Sequence, residues 1–182
     1  MKWIRDREFI RGDTPMTKFN IRALAIAYLS IKEGDRFLDI GAGTGSISIE
    51  SALPGAETWA IERKSGGIDL IKENSRKFNV NLNLIEGQAP EDLPDIKINK
   101  CFIGGSGGKL QEIFHYLEKN LEDKGIICAN FITLKNLNEF LGLLKEYGYE
   151  DIEVQLIQSS HMDKIGLMKG ENPIFIVKGV KK

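Results

Sequence analysis

Cysteine and histidine are scarce in this sequence, with two of each among 182 residues. Cys101 and Cys128 lie far apart in apolar runs, which is typical of core thiols in a reducing compartment rather than of a disulfide framework. A zinc site would need more cysteine or histidine nearby, so we predict no metal site. The scarcity of histidine also leaves no recognisable Ser/His/Asp set, and the sequence identifies no catalytic residue.

A strong charge of one sign is lacking as well, because 25 basic residues face 26 acidic ones and the net charge is −1. A protein that binds nucleic acid through a general basic field carries a large positive excess, so we predict no nucleic-acid partner. The sequence shows no signal peptide and no apolar run long enough to span a membrane. We therefore predict a cytoplasmic protein with no membrane partner.

What the sequence does contain is a glycine-rich turn between a predicted strand and a predicted helix. A short apolar run at 37–40 leads into Gly41-Ala-Gly-Thr-Gly45, and a helix is predicted from Thr44 to Leu53. Glycine allows a tight turn and lets a ligand approach the main chain. The next predicted strand begins at Thr58 and ends in Glu62, about 20 residues beyond the turn, where nucleotide-binding units place a carboxylate on ribose hydroxyls.

The spacing of the turn separates two classes of cofactor. It is G-x-G-x-G, whereas the dinucleotide pattern G-x-G-x-x-G places a pyrophosphate on a helix N-terminus. Together with Glu62, it resembles the S-adenosyl-L-methionine turn of class I methyltransferases. A purely structural turn in another α/β protein is the alternative interpretation.

Apolar periodicity predicts alternating helices and strands along the rest of the chain. Besides the elements above, it predicts a helix at 17–29 with Thr17 as N-cap, a helix that starts at Ser65 or Gly67 and ends at Phe78, and helices at 109–121 and 135–147. It predicts strands at 82–85, 100–103, 125–132, 153–157 and 173–178. Such alternation indicates a parallel sheet covered on both faces. The last two strands have no helix between them, so antiparallel pairing is expected.

The predicted architecture is therefore an α/β, Rossmann-like class I methyltransferase fold. It has a mostly parallel seven-stranded sheet, an antiparallel last strand and helices on both faces. Residues 1–182 are expected to form a single methyltransferase domain, in which residues 1–33 form an N-terminal arm and helix that cover the cofactor site.

Two loops at predicted strand ends are further candidates, because ligands of open α/β sheets bind beyond the carboxyl ends of the strands. Gln88 can hydrogen-bond an adenine edge and Ala89 can lie against its face, although Gln88 is alternatively an ordinary loop amide. The run Gly104-Gly-Ser-Gly-Gly108 indicates a close approach to a bulky ligand, or simply a flexible loop. It lacks the Asn/Asp-Pro-Pro-aromatic motif that holds a flipped base, which argues against adenine-N6 methylation.

Over nearly its whole length, the chain resembles the cobalt-precorrin C15-methyltransferase (decarboxylating) family of cobalamin biosynthesis. The resemblance rests on the segments F-I-R-G at 9–12, P-M-T-K at 15–18, I-R-A-L at 21–24, D-I-G-A-G-T-G at 39–45, E-G-Q-A-P at 86–90, F-I-G-G-S-G-G at 102–108 and N-P-I-F at 172–175. The family commonly has Asp at the position of Gln88, and Asp is common where Glu62 stands. Those departures affect cofactor contacts without removing the acid after the second strand.

The resemblance implies an S-adenosyl-L-methionine-dependent homotetramer. The implied reaction methylates C15 of a tetrapyrrole (a precorrin, with or without cobalt) and removes carbon dioxide from the C12 acetate. A partner precorrin methyltransferase that acts at another ring carbon is left open. With Gln88 from the reasoning above, the predicted cofactor-binding residues are Thr17, Gly41, Ala42, Gly43, Thr44, Gly45, Glu62, Gln88 and Ala89.

The substrate of such a reaction carries many carboxylates, so cations are expected at the mouth of the site. Arg11 is the first candidate because it adjoins Gly12 in the family-like arm, and Gly104, Gly105 and Ser106 are the predicted loop contacts. Further candidate cations are Arg5, Arg7, Lys18, Lys109, Lys164 and Lys169, each of which is alternatively a solvated surface charge.

The alternative function is an RNA methyltransferase lacking the Pro-Pro motif, which would predict a basic stripe on the surface. A non-enzymatic subunit that binds S-adenosyl-L-methionine is a third interpretation.

Overall fold

The computed structural model describes residues 3–182, which form nine strands and five α-helices. The strands are β1 (Arg36–Ile40), β2 (Glu57–Glu62), β3 (Asn83–Glu86), β4 (Ile98–Ile103), β5 (Leu121–Phe131), β6 (Glu150–Ile157), β7 (Ser160–Met162), β8 (Met168–Gly170) and β9 (Ile174–Val180). The helices are α1 (Phe19–Leu29), α2 (Ser46–Ala52), α3 (Ser65–Phe78), α4 (Leu110–Asn120) and α5 (Leu134–Glu146).

Seven of the strands form one sheet in the order β3-β2-β1-β4-β5-β9-β6. Strands β1 to β5 pair in parallel, and β9 lies antiparallel between β5 and β6. The predicted fold class, with its antiparallel last strand, is confirmed. The strand order reverses between β1 and β4, and this switch point is where open α/β sheets form their ligand crevice.

Neighbouring residues of β1 show how the sheet is covered on both faces. Successive side chains of a strand point to opposite faces. Leu38 packs in a cluster with residues of α4 and α5, whereas Phe37 packs in a second cluster with residues of α1 and α2. Both side chains are fully buried. The sheet therefore separates two apolar cores.

Some predicted boundaries and roles differ from the structure. Lys18, not Thr17, occupies the N-cap of α1, and no side chain caps this helix end, so the predicted N-cap role of Thr17 is wrong. Strand β5 begins at Leu121, before the predicted start at residue 125. A small hairpin, β7–β8, lies between the last two predicted strands, where the sequence predicted no element.

A buried arginine ties the N-terminal arm to the helices. Arg22 is fully buried on α1, and its Nε donates to Glu50 Oε1 on α2 at 3.1 Å. Its Nη1 donates to Asp6 Oδ1 at 3.0 Å and to the Thr17 carbonyl at 2.7 Å, and its Nη2 donates to the Ile4 carbonyl at 2.6 Å. One guanidinium thus joins both ends of the arm to the body of the protein.

Candidate active site

A cavity of about 500 Å³ opens at the carboxyl ends of the parallel strands. This volume lies within the range of clefts that hold small-molecule ligands. Its wall consists of the arm segment 14–18, the segments 39–43, 61–64, 87–89, 102–107 and 130–132, and Ile47, Asn136 and Ile174. The cavity therefore lies at the switch point of the sheet and is partly walled by the N-terminal arm.

The glycine turn forms the centre of this wall in a conformation that requires glycine. Gly41, Gly43 and Gly45 have φ angles of +72°, +59° and +76°. The N–H groups of Gly41 and Ala42 both donate to the Ile61 carbonyl, at 3.0 and 3.1 Å, which ties the turn to β2. A Cβ on Gly41 would lie 2.7 Å from the Gly105 carbonyl oxygen, so the turn and the second glycine-rich loop are in backbone contact.

Glu62 is held by main-chain amides beside the turn. Its Oε2 accepts from the Gly43 N–H at 2.9 Å, and its Oε1 accepts from the N–H groups of Arg63 and Lys64 at 3.0 and 2.9 Å. A carboxylate has about four lone-pair sites. The open site is on Oε2, because that oxygen has one amide donor while Oε1 has two. We therefore expect Glu62 to accept one direct hydrogen bond from a ribose hydroxyl.

Asp39 is a second buried acid on the cavity wall, and it was not among the predicted site residues. The Ser48 hydroxyl donates to its Oδ2 at 2.5 Å. Burial raises the pKa of Asp39 to about 7, against the opposing effect of the hydrogen bonds from Ser48. Burial therefore disfavours the charged form of this carboxyl. The sequence feature that could have identified Asp39 as a site residue is its position in β1, just before the glycine turn.

Most of the predicted cofactor residues come together on this wall. Those that line the cavity are Thr17, Gly41, Ala42, Gly43, Glu62, Gln88 and Ala89. Thr44 and Gly45 are buried and lie outside the lining; a Cβ on Gly45 would be 3.1 Å from Ile71 of α3. Thr44 and Gly45 therefore support the turn on its buried side, away from the cavity.

Some of the predicted substrate-binding residues line the cavity, and others lie outside it. Gly104, Gly105 and Ser106 line the cavity, whereas Arg11 is exposed and lies outside the lining. Among the other candidate cations, Lys18 lines the cavity and Lys109 forms an ion pair with Glu91. Arg63 and Lys64 also line it, and they were not among the predicted cations. The Arg63 Nη1 donates to Gln88 Oε1 at 3.4 Å.

The sheet order gives the cavity two sides. Glu62 at the end of β2 and Gln88 after β3 lie on one side of the glycine turn, together with Arg63 and Lys64. Beyond the turn, the ends of β4 and β5 and the start of β9 contribute the glycine-rich loop, the segment 130–132 and Ile174. The glycine turn thus divides the lining of the cavity into two parts.

The ionisable side chains and the helices of residues 3–182 bear on metal binding and on membrane insertion. No group of three or more His, Cys, Asp or Glu side chains in this range is arranged to hold a metal ion. No helix in the same range combines the length and hydropathy that crossing a membrane requires.

The sheet with its antiparallel β9, its switch-point cavity and its glycine turn define a Rossmann-like class I methyltransferase fold. The sequence model of the precorrin methyltransferase domain matches residues 8–180, and the chain belongs to this family. It is 40% identical over 187 residues to a probable cobalt-precorrin-6B C(15)-methyltransferase (decarboxylating) of Sulfurisphaera tokodaii, with 98% of this chain and 97% of the relative covered. It is 34% identical over 181 residues to the Salmonella typhimurium cobalt-precorrin-6B C(15)-methyltransferase (decarboxylating), with 96% and 94% covered.

Solved structures agree with this family membership. The crystal structure of precorrin-6y C5,15-methyltransferase from Geobacter metallireducens superposes with a TM-score of 0.90 at 32% identity. The match covers 99% of this chain and 97% of that one. The fold and the sequence thus point to the same family.

Proposed function

We propose that this protein is a cobalt-precorrin C15-methyltransferase that also removes carbon dioxide from the C12 acetate, with S-adenosyl-L-methionine as methyl donor. The observation that carries the proposal is the near full-length identity of 34% and 40% with relatives of that name. The near-neutral charge gives no support to the RNA methyltransferase alternative. Substrate and cofactor would occupy the two sides of one cavity.

The residues beside the turn fit S-adenosyl-L-methionine. Gly41 and Gly43 present bare main chain to the cavity, and Glu62 keeps an open acceptor site for a ribose hydroxyl. Gln88 can bond the adenine edge, and Ala89 can pack on its face. When bound, this cofactor supplies an electrophilic methyl group on a sulfonium.

The contribution of the chain to the reaction is alignment and exclusion of water. The arm segment 14–18 covers one side of the cavity, and the loop Gly104–Gly107 allows a bulky ring to approach the turn closely. Lys18 on the arm can meet a substrate carboxylate, whereas Arg63 and Lys64 adjoin Glu62 on the cofactor side of the cavity. A substrate contact of Arg11 stays a prediction, and it would require the substrate to extend beyond the cavity. Such a mechanism needs no Ser/His/Asp set.

Glu62→Ala tests the cofactor site. We expect the dissociation constant for S-adenosylhomocysteine to rise about tenfold or more, because a charge-assisted hydrogen bond is lost and the Gly43 N–H loses its partner. Isothermal titration calorimetry measures this constant directly. Glu57→Ala is the matched control, because Glu57 is exposed at the opposite end of the same strand, and its affinity should equal that of the parent protein.

The calorimetric result separates three readings. A parent protein that does not bind S-adenosylhomocysteine would rule out the methyltransferase proposal. Binding that is unchanged in Glu62→Ala would remove Glu62 from the site. Binding together with precorrin methylation and release of carbon dioxide would support the proposed reaction in full.

We also propose the homotetramer that the family resemblance implies. Met162, Ile165, Leu167 and Met168 of the β7–β8 hairpin are 69%, 80%, 59% and 66% exposed. Val154 and Leu156 on the edge strand β6 are also exposed. An exposed apolar hairpin and an apolar edge strand are typical of surfaces that are covered in an assembly.

Lysine at both Met162 and Ile165 should dissociate this assembly, because four copies of each charge would enter the proposed interface. Sedimentation velocity should then show a smaller species than the parent tetramer. Leu53→Lys introduces the same charge at another exposed apolar residue, away from the hairpin, and should leave the tetramer intact. A parent protein that sediments as a monomer would contradict the proposal.

Three further expectations stay predictions. They are the single domain over residues 1–182, the cytoplasmic location and a partner precorrin methyltransferase.

A further inference from the structure

One buried amide connects the N-terminal arm to the glycine turn. Asn74 lies on α3 and is fully buried. Its Oδ1 accepts from the Ile10 N–H at 2.8 Å, and its Nδ2 donates to the Ile10 carbonyl at 3.0 Å. The same Nδ2 donates to the Thr44 carbonyl, inside the glycine turn, at 3.2 Å. The side chain thus bonds the main chain of both segments at once.

The arm crosses the cavity between this contact and a second anchor. On the far side of the crossing, Arg22 Nη1 holds the Thr17 carbonyl. Between the anchors, the arm packs closely on the turn: a Cβ on Gly43 would lie 3.0 Å from the Pro15 carbonyl oxygen and 3.8 Å from Thr14 Cγ2. The hydrogen bonds of Asn74 to Ile10 and of Arg22 to Thr17 therefore fix the distance between the arm and the turn.

Only an amide satisfies the three main-chain groups around this position. A carboxylate at residue 74 would still accept from the Ile10 N–H, but it would face the carbonyls of Ile10 and Thr44 with no hydrogen to donate. A buried carbonyl that loses its donor costs free energy, and the arm can avoid this cost by moving away into water. The Asn74 side chain lies outside the cavity lining, so its effect on a ligand must pass through the arm and the turn.

We propose that Asn74 is a positioning residue of the cofactor site, which sets the width of the cavity by holding the arm against the glycine turn. The inference rests on the proposed function, since the ligand of that cavity is taken to be S-adenosyl-L-methionine. Replacing Asn74 retains every residue that lines the cavity, but the side chain no longer holds the arm and the glycine turn together. Cofactor affinity and arm accessibility should then change together.

The test compares Asn74→Asp with Asn79→Asp. Asn79 ends the same helix, is exposed, and has a φ of +53°, a conformation that aspartate tolerates, so the control makes the same chemical change outside the contact. Two measurements are made on folded protein at a temperature well below the melting transition of each variant. One is the calorimetric dissociation constant for S-adenosylhomocysteine, and the other is the rate of trypsin cleavage after the exposed Arg11, followed by mass spectrometry.

For Asn74→Asp we expect the dissociation constant to rise about tenfold and cleavage after Arg11 to become several times faster. S-adenosylhomocysteine should slow this cleavage strongly in the parent protein and in Asn79→Asp, and only weakly in Asn74→Asp. If Asn74→Asp does not fold, Asn74→Ser replaces it. Serine retains one donor and one acceptor and leaves space for a water molecule, and the same changes are expected at smaller size.

A purely structural role would give a different pattern. An Asn74 variant that melts at a lower temperature, but binds S-adenosylhomocysteine and is cleaved after Arg11 as the parent is, would overturn the inference while leaving the proposed function in place. A parent protein that does not bind S-adenosylhomocysteine would overturn the proposed function and this inference with it.

Discussion

Replacing Arg22 with methionine should lower the free energy of unfolding by about 3–5 kcal/mol, the cost typical of breaking a buried ion pair from one side. The variant leaves Glu50 buried without its partner and removes the donors of the Ile4 and Thr17 carbonyls. Urea denaturation followed by circular dichroism measures the loss. An additional Glu50→Met substitution should recover part of it, because no unpaired charge then stays buried.

The loss should depend on pH in a defined direction. Burial raises the pKa of Glu50 in the folded parent, and Arg22 opposes that rise, so its removal should raise this pKa further. An acid whose folded pKa lies above its unfolded value stabilises the fold at low pH, and this contribution is lost as the pH rises through the folded pKa. The deficit of Arg22→Met should therefore be largest at alkaline pH and shrink toward pH 5.

Arg36→Met is the control for charge removal alone. The Arg36–Glu122 pair is about 40% exposed on both sides, and exposed pairs contribute at most about 1 kcal/mol. Equal losses in the two arginine variants would contradict the role assigned to the buried network.

Gly41→Ala should lower the free energy of unfolding by about 2–5 kcal/mol and weaken S-adenosylhomocysteine binding at least about tenfold. Two costs combine: alanine in the left-handed region costs roughly 1–2 kcal/mol, and overpacking costs roughly 1–3 kcal/mol. The new Cβ would lie 2.7 Å from the Gly105 carbonyl oxygen and 2.8 Å from the Gly105 nitrogen. Since both atoms are backbone, the whole second glycine loop must shift. Thermal melts and calorimetry measure the two effects.

Gly34→Ala separates conformational strain from steric contact. Gly34 has a φ of +82°, and an added Cβ would meet nothing within 4 Å. This variant should therefore show the left-handed cost of about 1–2 kcal/mol and bind S-adenosylhomocysteine as the parent does. If Gly41→Ala is no worse than Gly34→Ala, the contact between the turn and the Gly105 loop has no energetic importance.

The features that the sequence predicted well are those encoded by neighbouring residues. A buried strand, a glycine turn and a helix follow one another directly, so their periods and the positions of Gly41 to Glu62 could be interpreted without knowledge of the tertiary structure. The fold class follows from repetition of such units. Most of the turn and loop residues predicted for the cofactor also line one cavity.

The residues that were missed depend on partners distant in the chain. Arg22 reads as a polar position on α1, but it is buried because Glu50, 28 residues away, and the arm surround its guanidinium. Lys109 reads as a free cation until the loop after β3 brings Glu91 beside it. The β7–β8 hairpin has strands of only three residues each, which are too short to show a period and exist because they pair.

The position of β9 also constrains how the chain can fold during synthesis. This strand follows every other strand in sequence, yet it lies inside the sheet, with Ile176 and Val177 fully buried. Ribosomes deliver about 5–20 residues per second, N-terminal part first. Until β9 has been synthesised, the edge of β5 lacks its neighbour and β6 has no partner in the sheet. During that interval the uncovered edge of β5 can pair with a wrong strand, so late synthesis of β9 exposes the chain to mispairing.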